Sequence, residues 1–242
     1  MINKIHQMDC LEFLSKVENN SVDLILTDPP YGVNFKNDFY NDEKSFVREE
    51  SKKWLTSLYN VLKEGCHCYI FTGTKSLVFW LNNIESSSFQ FNNIVNLQSY
   101  CNGQYLKNNF YYRTEHLIFL SKGKAKNLNK IDFIKTSDSW LNDKRNKNKK
   151  AFTHSYPNFI TSLFANEKAN VKKLLHPNQK NLKTLETFIE LSSNKNDIVL
   201  DCFAGSGSTA LACQNTKRNF LCCENNKEYV DLANKRLNEK LF

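Results

Sequence analysis

No stretch of the 242 residues reaches the ~18 uninterrupted apolar residues that a membrane span requires, so the sequence offers no transmembrane candidate. The N-terminus, Met1-Ile-Asn-Lys-Ile-His6, lacks an apolar segment, and no secretory leader is expected. None of the 8 cysteines, at positions 10, 66, 68, 101, 202, 213, 222 and 223, forms a Cys-x-x-Cys pair. Zinc is therefore not expected, nor any other metal. Several of these cysteines sit in apolar, strand-like runs, where a free thiol behaves as a small hydrophobe. Reduced thiols point to the cytoplasm. Glycine is also scarce, at 7 residues, against an abundance of Lys and Asn.

Acids fall short of bases, 25 against 33, giving a net charge of +8 and a pI near 9.0. That favours a polyanionic partner, although the Lys and Asn bias supplies part of it without any function. Distribution says more than the total. Between Lys122 and Lys150 there are ten Lys or Arg against three Asp, which marks this segment as facing nucleic acid.

Strand-like and helix-like runs alternate along the chain. Strands are expected at 2–8, 22–27, 67–72, 91–100, 115–121, 198–202 and 220–224. Helices are expected at 11–17, 51–62, 77–84, 184–191, 208–214 and 228–241. Residues 32–47 read as a polar loop, and Gly65 reads as a helix C-cap. This alternation implies a doubly wound, mostly parallel α/β sheet. The runs at 91–100 and 115–121 would pair at one edge.

Two segments carry chemistry. The first is Asp28-Pro29-Pro30-Tyr31, which follows the apolar run Val22–Thr27. Prolines fix φ and lack an N–H, so their carbonyls can face outward without a ladder partner. A carboxylate beside a free carbonyl offers two acceptors, which suits a group with two hydrogens, such as an exocyclic amine. The adjacent ring suits a flat partner such as a nucleobase.

The second segment is Asp201-Cys-Phe203-Ala204-Gly205-Ser206-Gly207-Ser208-Thr209, a strand end, a glycine turn and a helix start. Small residues let the backbone approach a ligand closely, at the place where α/β sheets bind nucleotides. A third glycine and a Gly-Lys pair are both missing, so pyrophosphate is not the expected ligand. Glu224, with Asn225 after it, lies roughly 20 residues on, where an acid accepts from ribose hydroxyls. A nucleoside without pyrophosphate matches, and S-adenosylmethionine is such a molecule. His176-Pro-Asn178-Gln179-Lys180 has the donors to hold its carboxylate.

In this order, these motifs resemble the β-class of amino-directed DNA methyltransferases, in which the catalytic motif precedes the cofactor motif. Cys202, Asn178 and Asn181 stand where that family commonly has Pro, Thr and Pro. The resemblance covers nearly the whole chain outside about 122–173. It implies a seven-stranded Rossmann-like methyltransferase sheet with an antiparallel edge strand. It divides the chain into a catalytic half at 1–121, a target-recognition insertion at 122–173 and a cofactor half at 174–242.

The implied activity is methyl transfer from S-adenosylmethionine to N6 of a flipped adenine. N4 of cytosine and an inactive DNA-binding subunit are the alternatives. Asp28, Pro29, Pro30 and Tyr31 would be catalytic. Asp9, Cys10, Asp28, His176, Asn178, Gln179, Lys180, Asp201, residues 203–209, Glu224 and Asn225 would hold the cofactor. Lys144, Arg145, Lys147 and Lys149 would contact DNA. The implied partner is double-stranded DNA and not a membrane, and the family also includes chains with a cognate restriction endonuclease and homodimers. The Pro-Cys pair typical of carbon-5 methyltransferases is absent.

Overall fold

The computed structural model describes residues 1–34, 41–98, 114–131, 159–160 and 180–239. Eight strands form one sheet: β1 (Lys4–Gln7), β2 (Val22–Thr27), β3 (Leu62–Gly73), β4 (Gln90–Gln98), β5 (Thr114–Ser121), β6 (Phe159–Ile160), β7 (Ile198–Asp201) and β8 (Asn219–Glu224). Their order is β1-β8-β7-β2-β3-β5-β4-β6. Only β5 runs against its neighbours.

Seven strands are those expected from the sequence, and β4 and β5 do pair. The eighth, β6, is two residues long and adds to β4. It lies in a stretch of weak periodicity, which is why no strand was legible there. The antiparallel strand β5 consequently sits inside the sheet, with β4 and β6 beyond it.

Six described helices flank the sheet: α1 (Cys10–Leu14), α2 (Lys44–Val61), α3 (Leu77–Glu85), α4 (Leu182–Ser192), α5 (Ser208–Thr216) and α6 (Lys227–Glu239). The pleat sorts strand side chains between two cores. Leu24, Leu26, Tyr69 and Phe71 face α4, α5 and α6. Ile25, Cys68 and Ile70 face α1, α2 and α3. A strand buried on both faces reads as a continuous apolar run, as Val22–Thr27 does. The seven described cysteines are all free and buried. No described helix is long and apolar enough to cross a membrane.

Two local expectations give way. Helix α2 begins at Lys44, inside the expected loop, because Val47 is fully buried on its apolar stripe with Trp54, Leu55 and Leu58. Gly65 does not cap that helix. Strand β3 begins directly at Leu62, and Gly65, at φ +73°, sits within it where the register to β2 shifts. A positive φ is needed in either setting, so the sequence could not separate them.

The stretch read as a DNA-facing insertion starts inside the folded body. Lys122 is buried, and its ammonium donates to Asn20 Oδ1 at 2.8 Å and to the Tyr59 carbonyl at 2.9 Å. The Asn129 amide donates to the carbonyls of Glu190 and Ser193. Part of the basic cluster is thus structural.

From β7 the chain crosses through α5 to β8 on one side, and from β2 it crosses through α2 to β3 on the other. The point between β7 and β2 is therefore the switch point of the sheet, where a crevice opens at the strands' carboxyl ends. Asp201 ends β7 and Asp28 follows β2 at that crevice.

Candidate active site

Asp28, Tyr31, Glu115 and Lys180 meet beyond the end of β2. The Tyr31 hydroxyl donates to Asp28 Oδ1 at 2.8 Å, and Glu115 Oε1 stands 3.1 Å from it. Lys180 Nζ lies 2.9 Å from Asp28 Oδ2 and 2.5 Å from Glu115 Oε1, and donates to the Tyr31 hydroxyl at 3.1 Å. The ammonium also sits 4.8 Å from the centre of the Phe71 ring. Glu115 arrives from β5, directly across the ladder from Gly73. A Cβ on Gly73 would stand 3.5 Å from the Tyr31 ring, so this end of β3 is closely covered by it.

Burial pushes the Asp28 carboxyl above its usual value; Lys180 works against that rise and Glu115 adds to it. Burial alone would lower the Lys180 ammonium, but Asp28 and Glu115 outweigh it and hold the group charged. Burial and the two carboxylates keep the Tyr31 phenol protonated. The cluster therefore holds one cation between two carboxylates, with acceptor capacity left on the Asp28 oxygens.

The glycine loop lies on the other side of the switch point. Asp201 is buried. Its Oδ1 accepts from Thr27 Oγ1 at 2.8 Å and from the Phe203 N–H at 3.1 Å, and its Oδ2 accepts from Thr209 Oγ1 at 2.7 Å. It thereby ties the β2 and β7 loops together. Burial raises its carboxyl to about 6, against the pull of those three hydrogen bonds.

Gly205 and Gly207 take φ of +50° and +79°. A Cβ on Gly207 would come within 2.7 Å of the Ala233 Cβ, so α6 packs against bare backbone there. Glu224 Oε2 accepts from the Gly205 N–H, and its Oε1 from the Asn226 N–H, both at 2.9 Å. The Asn225 N–H also bears on this carboxylate, which leaves one of its four acceptor sites for an outside donor, and burial raises the carboxyl above its usual value. Phe203 is half-buried, with its ring edge-on to Trp54 at 5.0 Å. Small residues, an acceptor at the strand end and a partly open ring are groups that suit a nucleoside.

The other expected residues divide. Asp9 caps α1, with its Oδ1 accepting from the Leu11 N–H at 2.8 Å, while Cys10 buries its thiol in the core beneath. Any ligand contact by Cys10 would come from its backbone. Ala204, Ser206, Ser208 and Thr209 are buried, and Asn225 is exposed beside Glu224. Lys180, expected at the cofactor, lies on the Asp28 carboxylate. His176, Asn178, Gln179, Lys144, Arg145, Lys147 and Lys149 lie outside the described residues. Sequence reasoning missed Glu115, Gly73 and Arg236. Arg236 Nη1 donates to the Ser206 carbonyl and to Ser206 Oγ, bracing the loop from α6.

Residues 22–235 match the model of a family described as DNA methylase. The chain belongs to this DNA methylase family. Among curated relatives, it is 32% identical to the Type II methyltransferase M1.MboII of Moraxella bovis, over 98% of this chain and 97% of that one. It is 29% identical to the Type II methyltransferase M.HpaI of Haemophilus parainfluenzae, over 96% and 73%. The M1.HpyAVI-SAM complex superposes with a TM-score of 0.67 at 26% identity, covering 96% of this DNA methylase and 98% of that chain. The PvuII DNA methyltransferase, described as cytosine-N4-specific, gives 0.72 at 18% identity, covering 96% and 85%. That last likeness is one of fold alone.

Proposed function

We propose that this DNA methylase transfers a methyl group from S-adenosylmethionine to N6 of an adenine flipped out of duplex DNA, as a circularly permuted β-class enzyme of a restriction-modification system. The observation that carries this reading is the pair of loops at the switch point. A partly exposed carboxylate, Asp28, stands on one side, and a glycine turn with an acceptor at the next strand end stands on the other. The chain order, with Asp28–Tyr31 before Phe203–Gly207, supports the permuted class.

The cofactor would be held by the 203–207 backbone, by Glu224 at its ribose, and by Asp9, Asn225, His176, Asn178 and Gln179. When bound, it supplies a methyl group on a positively charged sulfur. The chain's own groups do the rest. Asp28 Oδ1 and Oδ2, with the Pro29 carbonyl, accept the two amine hydrogens and draw lone-pair density onto the nitrogen. Lys180 keeps Asp28 ionised, and Glu115 fixes Lys180 and the Tyr31 hydroxyl. The Tyr31 ring stacks on the extruded base, a contact worth about 1–3 kcal/mol in single-strand systems. Positioning and charge complementarity carry most of the rate.

Cytosine N4 is the second reading, because the fold is shared with an enzyme described as cytosine-N4-specific. Asp rather than Ser at the first motif position favours adenine. Duplex DNA incubated with the chain and labelled cofactor, then digested for mass spectrometry, separates the readings: N6-methyladenine is expected. N4-methylcytosine supports the alternative, and an unmodified digest refutes both. Asp28→Ala should give no product.

We also propose that 122–173 reads the target through Lys144, Arg145, Lys147 and Lys149. Changing all four to Ala should weaken DNA binding and flatten its salt dependence, with cofactor affinity intact. Parental binding at every salt concentration would refute this.

A further inference from the structure

Beside the catalytic tyrosine lies a cavity of about 220 Å3, lined in part by Tyr31, Lys44, Arg48, Lys75, Ser76 and Phe79. Three of these six are cations. Lys44 and Arg48 are one turn apart at the start of α2, so they project from the same face. Lys75 and Ser76 come from a different element, the entry to α3. No acid among the described residues lines the cavity. Asp42, in the same loop, accepts from the Gly32 and Val33 N–H groups at 2.8 and 3.1 Å. Those bonds fix the stretch of cavity wall that follows Tyr31.

Ser76 adds a separate observation. It is 3% exposed, and its buried hydroxyl has no hydrogen-bond partner. As N-cap residue of α3 it would ordinarily bond a backbone N–H of the first turn, yet it makes no such bond. A buried hydroxyl without a partner carries a desolvation cost that an acceptor oxygen would relieve. Cations from two elements, an unpaired hydroxyl and the positive end of a nine-residue helix all favour one ligand chemistry, an oxyanion.

We propose that this cavity binds a phosphodiester group of the target strand, next to the nucleotide whose base meets Tyr31. The inference rests on the DNA-methylation reading and adds a contact point to it. A base turned out of the stack carries its flanking phosphates with it, and a phosphate held here would fix the register of that base on the Tyr31 ring. Phe79, at the same wall, offers apolar surface to the sugar. The cations of this site come from the catalytic half of the chain, so they add to the charge of residues 122–150 rather than replace it.

The test is a fluorescence-anisotropy titration of labelled duplex DNA with the full chain, at a series of salt concentrations. The variants are the triple Lys44→Ala/Arg48→Ala/Lys75→Ala, the charge-keeping triple Lys44→Arg/Arg48→Lys/Lys75→Arg, and Ser76→Ala. Each phosphate contact contributes about 0.9 to the slope of log affinity against log salt. Losing the one phosphate held here in the alanine triple should therefore flatten the slope by about 1, and the charge-keeping triple should restore most of it. Ser76→Ala should weaken binding several-fold at fixed salt. Calorimetry with S-adenosylmethionine should give parental affinity in all three.

A parental slope in the alanine triple overturns the proposal. So does competition by inorganic phosphate or adenosine monophosphate that depends on these three residues while the DNA slope does not, because the cavity would then serve a free phosphate. A parent chain that binds no duplex DNA overturns both this site and the function proposed above. A parent that binds and methylates DNA, with the slope unchanged in the triple, overturns this site alone.

Discussion

Replacing Lys180 with Met should move the acid limb of the pH–activity profile upward. Lys180 Nζ sits 2.9 Å from Asp28 Oδ2, and the two side chains are only 14% and 24% exposed. Two unit charges about 4 Å apart attract by about 4 kcal/mol at an effective dielectric constant near 20. Part of that is shared, because the same ammonium also serves Glu115. An opposite charge at this range typically lowers a carboxyl by about 1–3 pH units, each worth about 1.4 kcal/mol. Without the cation, burial and Glu115 act on Asp28 against the Tyr31 hydrogen bond alone, so the carboxyl stays protonated to higher pH. A protonated Asp28 is a poorer acceptor, so transfer should fail from the acid side about 1–3 pH units sooner.

The assay is kcat/KM for methyl transfer to DNA between pH 5 and 9, for the parent, Lys180→Met and Lys180→Arg. The Arg variant keeps the charge and should restore the limb. Glu115→Gln should move the limb the other way, by less, since a like charge leaves the pair. A Lys180→Met limb identical to the parent, with only cofactor affinity lost, would refute the reasoning and return Lys180 to the cofactor.

Three further outcomes follow from the geometry. Gly207→Ala forces a Cβ into the Ala233 Cβ at 2.7 Å on left-handed backbone, which should cost about 2–4 kcal/mol in urea unfolding; a midpoint within error of the parent would refute the contact. Asp201, raised by burial to about 6, destabilises the fold progressively as pH rises through that value, because the unfolded chain gives up the same proton near 4. Asp201→Asn should therefore gain on the parent between pH 4 and pH 7, up to about 3 kcal/mol, and a pH-independent difference in Tm would contradict this. Glu224→Ala should weaken S-adenosylmethionine binding by about 1–3 kcal/mol in calorimetry. Glu224→Gln, which still accepts from the Gly205 N–H, separates a direct ribose contact from mere bracing of the loop; unchanged affinity in both variants would place the ribose elsewhere.

By itself, the sequence determined what depends on neighbours along the chain. Apolar periodicity gave seven of the described strands and all six described helices, because each element buries a face whose spacing is written locally. Asp28–Tyr31 and Phe203–Gly207 were legible for the same reason: a carboxylate before two prolines and a glycine turn are chemistry carried within a few residues. Elements whose burial comes from distant partners were misjudged. Helix α2 extends back to Lys44 because Val47 finds a core, and the two-residue β6 exists only as a partner for β4. Structural partners of polar and basic residues were not legible either. The Cys10 thiol lies in the core, Asp201 spans two loops, and Lys122 is bound to backbone carbonyls. Only the tertiary structure could bring Lys180 and Glu115, far from Asp28 in sequence, onto one carboxylate, or set the starts of α2 and α3 around one cavity. The antiparallel insertion of β5 beside β3 does the first, by carrying Glu115 across from Gly73 to the end of β2. Charge placed by strand pairing leaves no trace in local spacing, and for that reason the electrostatics of this site belonged to the fold.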